Sequence, residues 1–378
     1  NEEINAVPKY SIVYLDLDIL HGKGIQISAS RAIPGITPSA FSTLSKEEIA
    51  YNYTIEDVPL VLASEPGIYA YSESGNGTGY SYVSIRGFDQ SKIAVMIDNV
   101  PLNDNESHQV YWVDHGDVLS DAKDVQIQRG IGNSLYGSAA FGGSINVITE
   151  ITKNEEELMA SVGFGSFNTK KYRVNYNTGN RLGENLGIKL RLSQIESEGY
   201  RDFHNSFQRS GLIGIEHKTD KITHQFRAQL GYENTDLTWD GIAASDINDR
   251  DLRKISYQSY TDDFYQKIYS LNSSYQYSNN LSFRNVVYLV RGKGYYEVFK
   301  EDASFYDYNL DVNDQFPDST EQALNTGLLR RKWIVNTYYG AAPVLTWRNN
   351  IMRLDIGGEL RYYSGDHFGE VSNFSNEE

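Results

Sequence analysis

The clearest regularity along this chain is a two-residue alternation of apolar and charged positions that begins near residue 157 and recurs to residue 364. Tyr172, Val174 and Tyr176 oppose Lys171, Arg173, Asn175 and Asn177. Leu186, Ile188, Leu190 and Leu192 oppose Gly187, Lys189, Arg191 and Ser193. Ile222, Phe226, Ala228, Leu230 and Tyr232 oppose Thr223, Gln225, Arg227 and Gln229, and Met352, Leu354, Ile356, Leu360 and Tyr362 oppose Arg353, Asp355, Glu359 and Arg361. A period of two puts successive side chains on opposite faces of a strand, one face apolar and the other charged, and about nine such strands are predicted. Their connections alternate in length. Turns at 217–221, 278–280 and 348–350 are short, whereas 197–206, 233–263 and 291–332 read as long loops. Compact soluble domains rarely carry structureless loops of that size, and outer-membrane barrels do so routinely.

Residues 39–150 have a different texture, compact and rich in Gly. Ser45 and Glu48 have the spacing of a capping box, which predicts a short helix, with a second helix over 54–63 ended by Pro66-Gly67. Short strands follow at 82–86 and 92–97, a helix–strand pass at 112–129 and a last strand at 144–149. This is an α+β globular domain. Upstream, Val13, Leu15, Leu17 and Ile19 alternate with Tyr14, Asp16 and Asp18, one amphipathic strand that cannot bury a face alone. The odd strand count and a tail that reads as loop after 351–363 predict a fragment of a larger barrel, because an open edge in lipid is not viable.

Composition changes the picture modestly. Aromatic residues make up 13% of the 378, mostly through 29 Tyr, which suits strands and a membrane–water boundary. The absence of Cys excludes a disulfide framework and thiolate metal sites. A net charge of −16 sets nucleic-acid binding aside. No nucleophile elbow, zinc-protease helix or Cys–His pair is present, so the reading is not an enzyme. The glycines of 130–143 make no phosphate loop, since no Gly-Lys-Ser/Thr follows. Asp104, Glu106 and His108 fit no known ligand spacing, so neither metal nor cofactor is assigned.

In the middle region Tyr82-Val83-Ser84-Ile85-Arg86-Gly87-Phe88, Val95-Met96-Ile97-Asp98-Asn99-Val100-Pro101, Val125-Gln126-Ile127-Gln128-Arg129-Gly130, Ser134-Leu135-Tyr136-Gly137 and Ala140-Phe141-Gly142-Gly143-Ser144-Ile145-Asn146-Val147-Ile148-Thr149 follow one another. In order and spacing they resemble the plug domain of TonB-dependent outer-membrane receptors. The resemblance implies a plug domain over 39–150, then the N-terminal portion of a transmembrane β-barrel over 151–378, about nine strands of an expected twenty-two. Residues 1–38 would be the end of a regulatory-like β-domain and a tether. Within that tether Gly24-Ile25-Gln26-Ile27-Ser28-Ala29-Ser30-Arg31 is similar to a TonB box, with Ile25, Gln26, Ile27, Ser28 and Ala29 as the TonB-binding residues. The family favours an acidic residue before the box and Thr where Ser28 stands, and a plain β-linker is the other reading.

By the same resemblance, Arg86, Gly87, Arg129, Gly130, Tyr136, Gly137, Gly142 and Gly143 are structural residues of the plug, with Arg86 and Arg129 expected to bond across the plug–barrel interface. Ligand contacts are expected from two outward segments: Tyr71, Glu73 and Tyr80 in the first, and Asn103, Asp104, Asn105, Glu106, His108, Tyr111 and Trp112 in the second. The first segment reads as mobile from its Gly and Ser content. Inward charges Lys189, Arg191, Arg353, Asp355 and Glu359 are expected to grip the plug. The implied function is energised import of a scarce ligand, a ferric siderophore or other iron chelate first, with cobalamin, haem or glycan as rivals. The implied partners are TonB with its inner-membrane energising complex, the chelate and outer-membrane lipid, with a surface lipoprotein left open. The implied location is a Gram-negative outer membrane, plug toward the periplasm and long loops outside. Two other classes compete. A passive porin-like channel is opposed by a plug that would occlude it, and a soluble β-rich binding module would bury the apolar strand faces rather than expose them.

Overall fold

The computed structural model describes residues 32, 35, 39–75, 77–130, 141–151, 153–256, 260–308 and 325–375. The chain folds from local signals first. β1 (Ala40–Ser45) runs into α1 (Lys46–Asn52), whose capping box forms: the Glu48 amide donates to Ser45 Oγ at 3.3 Å and the Ser45 amide to Glu48 Oε2 at 2.7 Å. α2 (Val58–Leu62) carries Pro59 in its first turn, where a missing N–H costs nothing. A small antiparallel sheet, β2 (Ile68–Ser72), β3 (Ser81–Ile85) and β4 (Phe88–Asp89), follows. Next come β5 (Ile93–Ile97) and β6 (Val100–Pro101), joined by Asp98 and Asn99 at φ 52° and 66°. Positive φ at both central residues is the hairpin turn that matches strand twist, and Asp-Asn tolerates it. The predicted helix of the 112–129 pass is two 3-10 turns, Trp112–His115 and Val118–Asp121, before β7 (Ala122–Arg129). β8 (Gly143–Thr149) closes the main sheet, in the order β1-β7-β8-β5-β6, with only β5 and β8 parallel. Val125, Ile127, Ile145 and Val147 are fully buried on one face of that sheet against Leu44, Ile49 and Leu62.

The remaining strands form one antiparallel ladder: β9 (Glu157–Gly165), β10 (Thr169–Asn177), β11 (Leu186–Ser197), β12 (Ser206–Lys218), β13 (Ile222–Asp236), β14 (Thr261–Ser278), β15 (Leu281–Ser304), β16 (Asn325–Arg348), β17 (Arg353–Gly357) and β18 (Leu360–Ser375). β17 and β18 both pair with β16, so they make one strand interrupted at Gly358, and the ladder is nine strands wide. The strand count therefore agrees with the alternation. The apolar face points out: Leu192 is 71% exposed, whereas its neighbour Arg191 is 4% exposed. A soluble sandwich would show the reverse, so the ladder is a barrel wall that presents its apolar side to lipid.

Two expectations are corrected. Most of the supposed loop at 291–332 is strand, since β15 runs to Ser304 and β16 starts at Asn325. Likewise the tail after 363 is β18 as far as Ser375. Gly, Asp and Asn in those stretches read as loop, but antiparallel pairing with a long neighbour overrides weak local propensity. The inner face is also not uniformly charged. On β15, Val286, Tyr288 and Val290 point inward and join the plug core together with Ile268 and Tyr338.

Candidate functional site

The plug meets the barrel through two unlike walls. Against β14–β16 the contact is the apolar and tyrosine cluster just described. Against β10–β13 it is ionic and buried. The Asp98 carboxylate, at the tip of the β5–β6 turn, accepts from the Thr149 amide at 2.8 Å and Thr149 Oγ1 at 2.7 Å, and pairs with Arg227 at 3.0 Å. Asp117 pairs with Lys171 at 2.5 Å and Arg191 at 3.6 Å. Asp121 pairs with Lys189 at 2.8 Å and with Arg191. Burial alone pushes the Asp117 carboxyl up, but Arg191 and then Lys171 outweigh it and hold it at about 2. A pair buried this deeply persists only because each charge finds its counter-charge. Lys189 and Arg191 thus grip the plug as expected. Arg353 instead pairs with Asp355 on its own strand at 2.8 Å, and Glu359 bonds Arg361 and Tyr288. The role of Asp98, Asp117 and Asp121 as the anions of this seat was not foreseen from the sequence, in which Asp117 closes the segment expected to face outward. The available signal was the inward cations, which demanded anions from whatever filled the lumen.

Above this seat, toward the end of the barrel with the long connections, lies an aromatic cup. Tyr71 on β2 stacks on its cross-strand partner Tyr82 at 5.0 Å between centroids, and Tyr69 lies 6.1 Å from Tyr71. Tyr111 meets Tyr80 edge-on at 6.4 Å. Tyr80 is buried, donates to Asp262 at the start of β14 and packs with Val113 and Leu237. The loop between Tyr71 and Tyr80 is tied down by its own groups. The Glu73 amide donates to Tyr80 O at 3.0 Å, and Ser74 Oγ to Thr78 O at 2.7 Å. Burial raises the Glu73 carboxyl, with Tyr82 and Arg201 opposing. Burial, with Asp262 adding to it, holds Asp114 far above the usual carboxylate range, and burial lowers His115 to about 4.

Beneath the loop, Asp57 accepts from Ser81 Oγ at 2.6 Å, and its amide donates to Gly77 O at 2.8 Å. Burial pushes its carboxyl up to about 8, against the Ser81 hydrogen bond, with Glu56 adding to the rise. A carboxyl neutral in the folded state but ionised in the unfolded chain loses stability as pH rises from about 4 to about 8. Asp57→Asn is therefore expected to flatten the pH profile of plug unfolding in that window. At pH 8 it should stabilise by on the order of a few kcal/mol, read from Tm against pH. An unchanged slope would contradict this.

The second segment divides. Asn103 and Trp112 sit inside the plug. Asn103 accepts from the Val95 amide and donates to Ile93 O and His108 O, while the Trp112 indole donates to Gln90 at 3.3 Å. Asp104 accepts from the Glu106 amide at 3.0 Å and the Ser107 amide at 2.7 Å, which shapes the turn. Asn105 accepts from Arg361 at 3.1 Å, and Glu106 accepts from Tyr363 at 2.6 Å with His367 Nε2 at 3.0 Å, so the tip is bound to β18. His108, at φ 58°, and Tyr111 are exposed. Among the described residues no group of three or more His, Asp or Glu is placed to hold a metal ion.

Of the structural residues, Arg129 works within the plug, donating to Pro66 O at 2.6 Å and Ser42 Oγ at 2.8 Å and pairing with Glu65 at 3.2 Å. The expectation that it bridges to the barrel is corrected. Its place at the end of β7 aims it across the plug's own sheet edge. Arg86, at φ 53°, is exposed and its amide donates to Gly67 O. Gly87 and Gly130 have positive φ, and Gly142 approaches Phe88 closely. Tyr136, Gly137 and the box residues Ile25, Gln26, Ile27, Ser28 and Ala29 lie outside the described residues.

A globular α+β domain seated on the inner face of a lipid-facing antiparallel barrel wall defines a plugged outer-membrane receptor. Residues 36–144 match the TonB-dependent Receptor Plug Domain family, so the chain carries a plug domain of the TonB-dependent receptor type ahead of its barrel strands. It is 26% identical over 211 residues to the vitamin B12 transporter BtuB of Vibrio cholerae, covering 52% of this chain and 34% of that one. It is 24% identical over 192 residues to the ferrienterobactin receptor of Escherichia coli K12, covering 46% of this chain and 25% of that one. The fold resembles the crystal structure of the ferric citrate transporter FecA, with a TM-score of 0.67 at 15% identity, covering 88% of this chain and 49% of that one. The chain thus spans about a third of the BtuB relative's length and about half of the FecA chain.

Proposed function

We propose that the protein imports a scarce metal chelate, a ferric siderophore first, across the outer membrane. The chelate docks on the cup of Tyr71, Glu73, Tyr82 and Tyr111, and a TonB-type partner, driven by its inner-membrane energising complex, pulls on residues 25–29 to release it inward. In this reading 1–38 is tether, 39–150 plug and 151–378 barrel, with the long loops outside and the short turns in the periplasm. The observation that carries it is the buried ionic seat. A plug locked to the wall by Asp98, Asp117 and Asp121 obstructs passive flow, so passage needs work. Aromatic rings and hydroxyls suit the organic shell of a chelate.

A second reading, an uncharged cargo of the cobalamin kind, draws on one observation. Residues 71–80 and 102–117 contain no Lys or Arg, but do contain Glu73, Asp104, Glu106, Asp114 and Asp117. The nearby guanidiniums belong to the barrel: Arg201 donates to Thr238 O, Asp240 O and Ile255 O, and Arg361 to Glu359 and Asn105. An anionic chelate would receive little counter-charge from the plug.

The test is uptake of radiolabelled ferric chelates and of cobalamin by a receptor-deficient host expressing the full-length receptor, with an Ile27→Pro variant beside it. Pro removes the donor that strand addition to a partner requires. Uptake should fall at least about tenfold in the variant with surface binding retained. Equal uptake in both would overturn the placement of the partner segment, and uptake indifferent to collapse of the proton gradient would favour a passive channel. Cobalamin uptake without iron uptake would select the second reading.

A further inference from the structure

β7 carries a pattern that the plug motif does not explain. Val125 and Ile127 enter the core, so Gln126 and Gln128 must face the other side of the sheet. Across the strands Gln126 is registered with Thr43 of β1 and Asn146 of β8, and Gln128 with Ser144. Gln126, Gln128, Ser144 and Asn146 are all 3% exposed or less. A buried row of amides and hydroxyls is costly unless other polar groups meet it. One of those groups is main chain. The Ala32 amide donates to Gln126 Oε1 at 2.6 Å, and Gln126 Nε2 donates back to Ala32 O at 3.0 Å. Ala32 itself is 5% exposed. A single side-chain amide thus satisfies both backbone groups of one residue, as a neighbouring strand would. Thr43 Oγ1, accepting from Gln126 Nε2 at 3.2 Å, and Gln128 Nε2, donating to Gln126 Oε1 at 3.2 Å, hold that amide in orientation.

We infer that Gln126 is a positioning residue, a clasp that parks the tether on the polar face of the plug sheet and sets how readily the segment upstream is reached by its partner. The inference rests on the proposed function only in naming that segment as the partner's handle. The clasp recognises backbone, so it tolerates sequence change in the tether. It also stands in series with any pull on the chain upstream of Ala32. Further along the chain β1 begins at Ala40, whose partner across the ladder is Arg129 at the end of β7. The two hydrogen bonds on Ala32 therefore lie upstream of β1 in the path of such a pull.

The chain has no Cys, so Ser30→Cys, two residues upstream of the clasp, introduces the one thiol within these 378 residues. In the purified full-length receptor, the rate of maleimide labelling at that position reads exposure of the tether. Gln126→Leu keeps the bulk and removes both hydrogen bonds, and is expected to raise the rate about tenfold, the equivalent of two ordinary hydrogen bonds. Gln126→Glu keeps an acceptor for the Ala32 amide but no donor for its carbonyl, so it should label faster than the parent and slower than a folded Leu variant, and where the Leu variant does not fold it carries the test alone. Amide-exchange protection along β7 should be unchanged, which separates loss of the clasp from loss of the sheet. Equal labelling in parent and both variants would overturn the clasp, and so would faster labelling accompanied by loss of β7 protection. Failure of the functional reading looks different. Labelling would still rise while uptake stayed indifferent to Ile27→Pro, so the clasp would stand and the handle would lie elsewhere.

Discussion

Arg227→Leu is expected to loosen the plug by about 3–5 kcal/mol, the usual cost of stranding one member of a buried ion pair. Asp98 is 2% exposed and Arg227 is buried with it, so the carboxylate left behind meets neither water nor cation. The effect should depend on pH with a definite sign. Burial already raises the Asp98 carboxyl, and Arg227 is the first group opposing that rise. Without the guanidinium the folded-state value climbs further. A carboxyl raised in the folded state loses stability as pH increases above its unfolded value of about 4, so the defect should be larger at pH 8 than at pH 5. Asp98→Asn in the same background removes the stranded charge, keeps an acceptor for the Thr149 amide and tolerates the positive φ, so it should restore most of the loss. The measurement is denaturant-dependent exchange of plug amides in the full-length receptor. A loss below about 1 kcal/mol, or no recovery in the double variant, would mean that the ionic seat does not hold the plug.

This seat also shows where sequence reasoning succeeds and where it stops. The barrel wall was legible because its cause is local: one lipid-facing side and one inner side impose a period of two on every strand, and Leu190 and Leu192 against Lys189 and Arg191 display it directly. The capping box at Ser45 and Glu48 was legible for the same reason, since both partners lie within one turn. The partners of the inward cations were not. Lys171 and Asp117 are far apart in sequence, and no periodicity links them. Arg129 was misassigned because an Arg at a strand end reads identically whether it bonds its own sheet or a neighbour. The inward contacts of Val286, Tyr288 and Val290 were not legible either, because a strand that meets a plug core on one side and lipid on the other is apolar on both. Of the residues expected to contact ligand, Tyr71, Glu73 and Tyr111 lie on the cup, whereas Asn103 and Trp112 face inward. Polar and aromatic side chains in one loop carry no mark of which way the loop turns them. The clasp escaped notice because Gln126 alternates with Val125 and Ile127 as any strand residue would, and only the fold reveals that its other face is also covered.

Gly143→Ala should be far more damaging than Gly87→Ala, although both glycines belong to the plug motif and both have positive φ, 155° and 84°. At Gly87 a Cβ would meet nothing within 4 Å, so the substitution costs only the backbone preference of an L-residue, about 1–2 kcal/mol. At Gly143 the Cβ would press on the Gln128 carbonyl oxygen, with Ile85 Cδ1 at 3.2 Å behind it. That carbonyl belongs to β7, paired with β8 on one side and β1 on the other, and cannot swing aside without breaking the ladder. Strain and steric overlap then add, on the order of 3–5 kcal/mol, a large share of a small domain's stability. The consequence reaches the site. β8 ends at Thr149, whose amide and hydroxyl hold Asp98, so a displaced β8 withdraws support from the Arg227 pair as well. Gly143→Ala is therefore expected to lower plug stability and to admit large antibiotics through the barrel, while Gly87→Ala keeps the barrel closed. Comparable melting points and comparable antibiotic exclusion in the two variants would refute this ordering and would mean that β7 and β8 can separate without cost to the seat.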